Sequence, residues 1–210
     1  PVCDAITGAL FEVQYCPTCE FGQTKPTPPD LAPYYPERYY GNRHGKTATW
    51  CLNRRLRWLP LGKTLLDVGC GDGSFLCQAK KRNWIVAGLE RFTESARAKG
   101  ISVYEKIDDL NGQHFDCITA WHSLEHFQDP QALLIELARH LHSTGQLILA
   151  VPDVGGWQAH FFGAYWLHLD VPRHLWHFTL RSLKTLLEDA GLEIVKREHC
   201  ELEYALLGSS

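Results

Sequence analysis

The feature that most constrains the fold of this chain is a short apolar run that leads directly into three glycines at alternate positions. The run is Thr64–Val68, and Gly69, Gly71 and Gly73 follow it. A continuous apolar run of this length is typical of a buried parallel strand, and glycine lets the backbone bend sharply and approach a ligand closely. Periodic apolar residues then begin a helix at Ser74. The succession predicts a Rossmann-like, doubly wound α/β sheet with a nucleotide-type cradle.

Acidic residues around this turn indicate what kind of ligand it suits. Asp67 lies at the strand end, Asp72 lies in the turn, and Glu90 closes a second apolar run over residues 84–89. Carboxylates at the turn would repel a pyrophosphate but suit a ligand with ammonium and sulfonium groups. A carboxylate at the end of the second strand can accept hydrogen bonds from both hydroxyls of a ribose.

These residues resemble the class I S-adenosylmethionine (SAM) dependent methyltransferases. The matching stretches are DVGCGDGS (67–74) and the terminal acid of GLE (88–90). The resemblance implies SAM as cofactor and S-adenosylhomocysteine as product. It also implies cofactor-binding roles for Asp67, Gly69, Gly71, Gly73 and Glu90, and for Asp108 near the adenine. A glycine-rich turn in another doubly wound protein is the alternative.

The composition limits the kinds of partner and location that we expect for this chain. Of the 210 residues, 45% are hydrophobic and 21% are charged, as in globular proteins. The net charge of −3 gives no electrostatic case for nucleic acid binding. The sequence has no apolar run of the roughly 18–20 residues that a membrane span needs and no secretory signal. The scattered cysteines favour reduced thiols and a cytoplasmic location. Oligomeric state is not indicated.

We predict three segments along the chain: a cysteine-containing segment (1–22), a linker rich in proline and tyrosine (23–44), and a SAM-binding domain (45–210). The sequence has no methionine, begins with Pro1 and stops soon after a predicted strand over 192–196. We therefore expect a piece of a longer protein, truncated at both ends and without the last strand of its fold. The linker resembles the segment before the catalytic domain in a methyltransferase family with an N-terminal cysteine cluster. That resemblance implies Tyr40 at the SAM site, and packing against the domain is the alternative.

The first segment carries three cysteines that predict a metal site. Cys16 and Cys19 have the C-x-x-C spacing of a zinc knuckle, in which two thiolates of one tight turn take adjacent corners of a tetrahedron. Cys3 is a third thiolate. We predict a remnant of a structural zinc ribbon here; three unpaired cysteines in a frayed terminus are the alternative.

A fourth predicted strand, 115–120, leads into the candidate catalytic residues. Ligands of a doubly wound sheet bind outside the carboxyl ends of strands at this point. We therefore expect Trp121 at the cofactor and His122, Glu125 and His126 at the reacting centre. Histidine titrates near neutral pH and can serve as a base, and Glu125 can orient an imidazole. The alternative is a role in capping the next helix.

The same residues resemble the E-x-x-E-H metal motif of some O-methyltransferases, with His122 in place of the first acid. A metal bound by His122, Glu125 and His126 would be Zn²⁺ or Mn²⁺ in preference to Mg²⁺, which favours oxygen ligands.

The last part of the chain is aromatic and rich in histidine. Residues 155–178 predict a lid, an acceptor pocket or a hydrophobic mini-core. The stretch DVPRHLWHFTLRSLKTLLEDAGLEI (170–194) resembles the end of the same methyltransferase family. Within it, we expect Arg173 either to pair with Asp170 or to bind an acceptor carboxylate or phosphate, and Thr179 to cap the last helix.

These observations predict a SAM-dependent methyltransferase that acts on oxygen or carbon of a small-molecule acceptor, such as a sugar or another secondary metabolite. An NAD-dependent oxidoreductase of the same sheet class is one alternative, disfavoured by the glycine spacing and by Asp67. A non-catalytic SAM-binding module and an RNA methyltransferase are two others.

Overall fold

A computed structural model describes residues 1–35 and 46–198, with only the backbone described for 46–49. Its described residues divide into two compact units. Among the described residues, the first unit draws on 1–35, 122–135 and 150–193, and the second on 46–121, 136–149 and 194–198. Tyr40, the predicted cofactor contact of the linker, lies outside the described residues.

The strands of the described part are β1 (Val2–Cys3), β2 (Leu10–Tyr15), β3 (Gly22–Lys25), β4 (Thr64–Val68), β5 (Ile85–Leu89), β6 (Ser102–Tyr104), β7 (Phe115–Trp121), β8 (Leu141–Ala150) and β9 (Trp176–His177). The α-helices are α1 (Lys46–Arg55), α2 (Ser74–Lys80), α3 (Glu94–Ala98), α4 (Pro130–Arg139), α5 (Trp157–Phe162) and α6 (Leu180–Asp189). Short 3₁₀ helices lie between them, among them Leu124–His126. None of the described helices has both the length and the apolar character needed to cross a bilayer.

A five-stranded sheet of order β6-β5-β4-β7-β8 forms the frame of the second unit. The pairings β4–β5, β4–β7 and β5–β6 are parallel. The first strand of this sheet along the chain, β4, lies in its middle. The strands β5 and β6 are added on one side and β7 and β8 on the other, so the order reverses between β4 and β7. This is the predicted doubly wound arrangement, whose ligand crevice lies at the carboxyl ends of the strands beside the reversal.

The core of the second unit explains why the apolar run after residue 63 becomes a central strand. Leu65, Leu66 and Val68 of β4 are each 0% exposed, so the strand is buried on both faces. In α2, Phe75, Leu76 and Ala79 lie on one face of the helix and are buried in the same core.

The first unit contains an antiparallel sheet of order β1-β2-β3-β9. Consecutive hairpins bring β1, β2 and β3 together, and Gly22 of β3 then pairs with His177 of β9. Part of the predicted linker is therefore a strand of this sheet. The segment around residue 177 belongs to the same unit as the N-terminal hairpins.

Two expectations about the C-terminal part have different outcomes. Thr179 caps α6 as predicted: its Oγ1 accepts a hydrogen bond from the Ser182 N–H at 3.1 Å. The strand predicted over 192–196 is wrong, because this segment pairs with no strand among the described residues. Val195, one of its apolar residues, is 82% exposed. Apolar composition alone does not make a strand where no neighbouring strand supplies backbone partners.

Candidate functional site

The glycine turn lies at the carboxyl end of β4 in the second unit. Gly69, Gly71 and Gly73 have φ angles of 71°, 54° and 72°, in the left-handed region that glycine enters without strain. A Cβ on Gly71 would meet no atom within 4 Å, whereas a Cβ on Gly73 would lie 3.0 Å from the Ala96 Cβ. Gly71 therefore borders open space that a ligand can enter, and Gly73 permits close packing against α3.

Glu90, the first residue after β5, is fixed beside this turn. Its Oε2 accepts a hydrogen bond from the Gly71 N–H at 2.9 Å. Its Oε1 accepts from the N–H groups of Arg91 at 2.8 Å and Phe92 at 3.3 Å. A carboxylate offers about four lone-pair sites, so these bonds orient it and leave acceptor capacity for a ligand. The structure thus brings the predicted acid and the predicted turn together.

Asp67 is placed differently from the ligand contact that the sequence suggests. Its side chain is only 4% exposed, and its Oδ1 accepts a hydrogen bond from the Thr119 hydroxyl at 2.6 Å. Burial raises the pKa of Asp67 to about 7. In this structure Asp67 joins β4 to β7 beneath the turn, so it can shape the cradle through the two strands.

Two further residues of the second unit, Trp121 and Asp108, were also predicted to contact the cofactor. The ring of Trp121, at the end of β7, lies 5.1 Å beneath the guanidinium carbon of Arg55 and forms an edge contact with Phe75. The Trp121 Nε1–H is buried and has no hydrogen-bond partner in the part of the chain that the structure describes. Asp108 lies exposed on the 3₁₀ helix Ile107–Leu110.

One neighbour of the turn was missed from the sequence. Lys99, just after α3, places its Nζ 2.6 Å from Oδ2 of Asp72 and 2.9 Å from the Ser74 hydroxyl. Lys99 therefore offsets part of the negative charge that we attributed to the turn. A basic residue near the end of a helix is an ordinary surface feature, so nothing in the sequence connected it to Asp72.

The first unit contains all three candidate catalytic residues. Two of them, Glu125 and His126, belong to a largely buried cluster with His174. Glu125 lies in the 3₁₀ helix Leu124–His126, and its side chain is 0% exposed. Neither of its carboxylate oxygens has a hydrogen-bond partner among the described residues. Burial raises the pKa of Glu125 to about 8. Its Oε1 lies 3.8 Å from the His122 Nδ1 and 3.8 Å from the His174 Nε2.

His126 is held by oxygen atoms of two distant segments. Its Nδ1 lies 3.0 Å from the Arg173 carbonyl oxygen and 3.0 Å from the Tyr35 hydroxyl. The ring contacts that of His174 edge-on, with 4.8 Å between centroids. Burial lowers the pKa of both histidines, that of His174 most strongly.

The three-residue group that the structure assembles differs from the predicted one. Among the described residues, Glu125, His126 and His174 form the one group of three potential metal ligands whose atoms all lie within 4.8 Å of one another. His122 is not a member, so this group differs by one residue from the set of His122, Glu125 and His126 that the resemblance implied for a metal. His122 precedes the 3₁₀ helix that carries Glu125 and His126, whereas His174 comes from a separate loop.

Arg173 pairs with Asp170, which is one of the two roles that we predicted for it. Its Nη2 and Nε bind Asp170 Oδ1 at 2.6 and 2.9 Å, and its Nη1 binds Asp4 Oδ1 at 2.9 Å. Arg173 is 3% exposed and Asp4 is 1% exposed. With its guanidinium held this way, Arg173 joins the N-terminal hairpin to the loop that carries His174.

The predicted zinc site at the N-terminus is not assembled. Cys16 and Cys19 lie in the turn between β2 and β3, and a hydrogen bond from the Cys19 thiol helps to lower the pKa of Cys16. Cys3 lies in β1, its Sγ 3.6 Å from the Asp4 carbonyl oxygen. In the described part of the chain, these three sulfurs do not form a group of metal ligands. The antiparallel register, which pairs Cys3 with Leu10, separates Cys3 from the C-x-x-C turn.

A cavity of about 740 Å³ lies in the first unit, between the N-terminal hairpins and the aromatic segment. Its lining includes Glu12 and Tyr15 of β2, His160 of α5, and Trp166. Several aromatic side chains of the segment are exposed, among them Phe161 at 76% and Tyr165 at 92%. The segment therefore lines a cavity with some residues and presents others to solvent. Its use as an acceptor pocket stays a prediction.

Comparison with known proteins identifies the family. The sequence profile described as "Methyltransferase domain" matches residues 42–197. A ubiquinone biosynthesis O-methyltransferase of Klebsiella pneumoniae is 29% identical over 127 residues, which cover 53% of this chain and 52% of the relative. The chain spans about half the length of the curated relatives it matches.

Solved structures show that the fold is shared. A SAM dependent methyltransferase from Archaeoglobus fulgidus has a TM-score of 0.57 at 22% identity, over 74% of this chain and 73% of that one. The [4+2]-cyclase SpnF has a TM-score of 0.56 at 23% identity, over 71% and 58%. The same fold therefore hosts different reactions, and the family assignment rests on the match over residues 42–197. On that match, together with the glycine turn and Glu90, the chain belongs to the methyltransferase domain family of class I SAM-dependent enzymes.

Proposed function

We propose that this chain transfers a methyl group from SAM to an oxygen or carbon atom of a small-molecule acceptor. The observation that carries the proposal is the bond between the Glu90 carboxylate and the Gly71 N–H at 2.9 Å. It fixes an acid at the end of β5 beside an open glycine turn at the end of β4. Membership of the methyltransferase family supports the same conclusion.

The residues at the turn fit an adenosyl ligand. The Glu90 oxygens keep lone pairs that can accept from the two hydroxyls of a ribose. Gly71 borders open space, so the backbone can approach the ligand closely. SAM, when bound, supplies a methyl group on a sulfonium that is already electrophilic. The protein then has mainly to bind, to orient the acceptor in line and to exclude water.

The proposed acceptor receives the methyl group on an oxygen or carbon atom. Relatives named for ubiquinone biosynthesis are O-methyltransferases, which favours an oxygen atom as the receiving group in this chain as well. A sugar or another secondary metabolite remains our proposed acceptor class. His122, Glu125 and His126 remain proposed to act on that acceptor.

The cofactor proposal is tested by calorimetric titration of the chain with SAM, S-adenosylhomocysteine and NAD, on wild type and on Glu90→Ala. We expect both adenosyl ligands to bind and NAD not to bind. Glu90→Ala should weaken adenosyl binding at least about 10- to 100-fold, because even one hydrogen bond to a charged group contributes about 1.5–3 kcal/mol. The matched control is Glu94→Ala, which removes an exposed acid in the first turn of α3 and should bind like wild type.

Binding of NAD alone would contradict the proposal and favour the oxidoreductase. Where SAM binds, release of S-adenosylhomocysteine is then measured over a panel of hydroxylated and carbon-acid acceptors. Equal affinity for SAM and S-adenosylhomocysteine with no turnover on any acceptor would indicate a non-catalytic SAM-binding module.

A further inference from the structure

The cavity in the first unit has the size and the lining of a site for a small organic ligand. Its volume of about 740 Å³ lies within the roughly 300–1,000 Å³ of such sites. Most of its lining side chains are apolar, among them Tyr15 of β2 and Trp166 and Leu169 of the segment after α5. Trp166 and Leu169 are themselves buried, so the wall that they form is held by the fold. A few polar groups lie among them, as is usual where a ligand is oriented.

The indole of Trp166 is the feature of this cavity that folding alone does not account for. Trp166 is 8% exposed, and its Nε1–H has no hydrogen-bond partner among the described residues. A buried N–H without an acceptor destabilises the fold, and the tryptophan N–H usually finds a partner when it is buried. Because Trp166 lines the cavity, an oxygen atom of a ligand can supply the acceptor that the protein lacks.

The other polar side chains of the lining offer mainly acceptors. The His160 Nδ1 lies 2.9 Å from the Gly156 carbonyl oxygen, so in the neutral ring Nδ1 carries the proton and Nε2 keeps a lone pair. Glu20 accepts a hydrogen bond from the Thr179 hydroxyl at 3.1 Å, and Glu12 adds a second carboxylate. A carboxylate has about four lone-pair sites. A ligand that fits must therefore bring several donors of its own and an acceptor for the indole, and hydroxyl groups supply both.

The charges of the lining favour a cationic ligand over an anionic one. The lining contains two carboxylates and, among the described residues, no lysine or arginine. Two cations lie close by without lining the cavity: Arg181 pairs with Glu20 at 3.0 Å, and Lys25 is opposite Glu12 in the register of β2 and β3. A phosphate in the cavity would therefore meet carboxylates and no lining cation, whereas an ammonium can pair with a carboxylate.

We propose that this cavity binds a small polyhydroxylated ligand that carries an amine, such as an amino sugar. The hydroxyl groups of the ligand donate to the acceptors of the lining, and one of them accepts from the Trp166 Nε1–H. The ammonium group pairs with Glu12, and the apolar face of the ligand ring packs against Tyr15 and Trp166. That this ligand is the acceptor of the methyl group rests on the proposed function.

The test is an NMR titration of the chain, with isotope-labelled tryptophan indoles, in the absence of SAM. The probes are glucosamine, glucose, and glucose phosphorylated at its primary hydroxyl. The variant Trp166→Phe identifies the Trp166 signal by its loss. We expect glucosamine to shift this signal until it saturates, glucose to do so more weakly, and the phosphorylated sugar to leave it unchanged. A Trp166 signal that no probe shifts would overturn the proposal, as would equal binding of the phosphorylated sugar and glucosamine.

Two variants examine the two kinds of contact, with affinities measured by ligand-observed NMR. Trp166→Phe should lower glucosamine affinity about two- to tenfold, because it removes one hydrogen-bond donor; its control is Trp157→Phe, which lies outside the lining. Glu12→Gln should lower glucosamine affinity about two- to fivefold, the range of an exposed ion pair, and leave glucose affinity unchanged. Its control is Glu193→Gln, an exposed acid of the same unit. Wild-type affinity for glucosamine in both Trp166→Phe and Glu12→Gln would overturn the proposal.

Thermal unfolding of each variant guards against a loss of binding that is only a loss of folding. Glu12→Gln changes an exposed side chain of nearly the same shape, so we expect it to fold and to carry the test if Trp166→Phe does not. Titration with SAM separates this proposal from the proposed function. Binding of SAM without binding of any sugar probe would overturn the cavity proposal and leave methyl transfer standing. Binding of glucosamine without binding of SAM would support the cavity proposal and contradict the proposed function.

Discussion

At the scale of single residues, the sequence placed two acidic side chains near the glycine turn but did not reveal what each of them contacts. Asp67 and Glu90 were both assigned to the cofactor. Glu90 does lie at the turn, whereas Asp67 is buried against Thr119. The difference arises because β4 is central and buried on both faces, so any side chain within it is removed from solvent.

The burial of Asp67 predicts how stability changes with pH. Its pKa is raised to about 7 when folded and is close to 3.8 when unfolded, so folding favours the protonated form. The stability it contributes is fully present below about pH 4 and is lost as the pH rises to 7. The slope reaches about 1.4 kcal/mol per pH unit.

We therefore expect Asp67→Asn, which can keep the bond from Thr119, to lose less stability than wild type between pH 5 and pH 8. The expected difference is at most about 2–3 kcal/mol. The measurement is urea unfolding at the two pH values without ligand. Glu94→Gln, an exposed acid, should behave as wild type. An unchanged pH dependence in Asp67→Asn would contradict this account.

At the scale of elements, periodicity and end signals located most helices and strands of the second unit within a few residues. The apolar run, the glycine turn and the Thr179 cap are local signals, so sequence carries them directly. Close packing between elements, in contrast, is not recorded in a local sequence signal. Gly88 of β5 belongs to the GLE stretch, and the structure shows that it permits close packing against Cys70. A Cβ on Gly88 would lie 2.4 Å from the Cys70 Sγ.

Gly88→Ala is therefore expected to lower the free energy of unfolding by about 1–3 kcal/mol or more through overpacking. Cys70→Ala removes the sulfur that the new methyl group would meet. The double variant Cys70→Ala/Gly88→Ala should then lose less than the sum of the two single variants. Chemical denaturation of all four proteins measures this coupling. Strict additivity would mean that the clash with Cys70 is not the cause.

At the scale of the whole molecule, the first unit depends on contacts between residues far apart in the chain. Arg173 and Asp4, which are 169 residues apart, share a buried ion pair. Thr24 donates to the His174 carbonyl oxygen at 2.6 Å, and Gly22 of β3 pairs with His177 of β9. The N-terminal hairpins therefore help to hold the loop that carries His174.

Arg173→Met should destabilise the protein by about 3–5 kcal/mol, because it leaves the Asp4 carboxylate buried without its partner. Arg181→Met is the control, since Arg181 forms an exposed pair with Glu20 whose loss costs at most about 1 kcal/mol. Adding Asp4→Asn to Arg173→Met should restore part of the loss. Denaturant unfolding measures all three, and a loss below about 1 kcal/mol in Arg173→Met would contradict the structural role.

The sequence by itself determined the strand–turn–helix unit, the doubly wound class and the family, because these follow from local periodicity, glycine spacing and a short acidic motif. It could not determine which distant residues meet. Tertiary structure decided that His174 lies beside Glu125 and His126, that Lys99 lies beside Asp72 and that Cys3 is separated from the C-x-x-C turn. It also decided that segment 192–196 pairs with no described strand. The physical reason is that such contacts depend on strand register and on loops converging from separate segments, which no local pattern records.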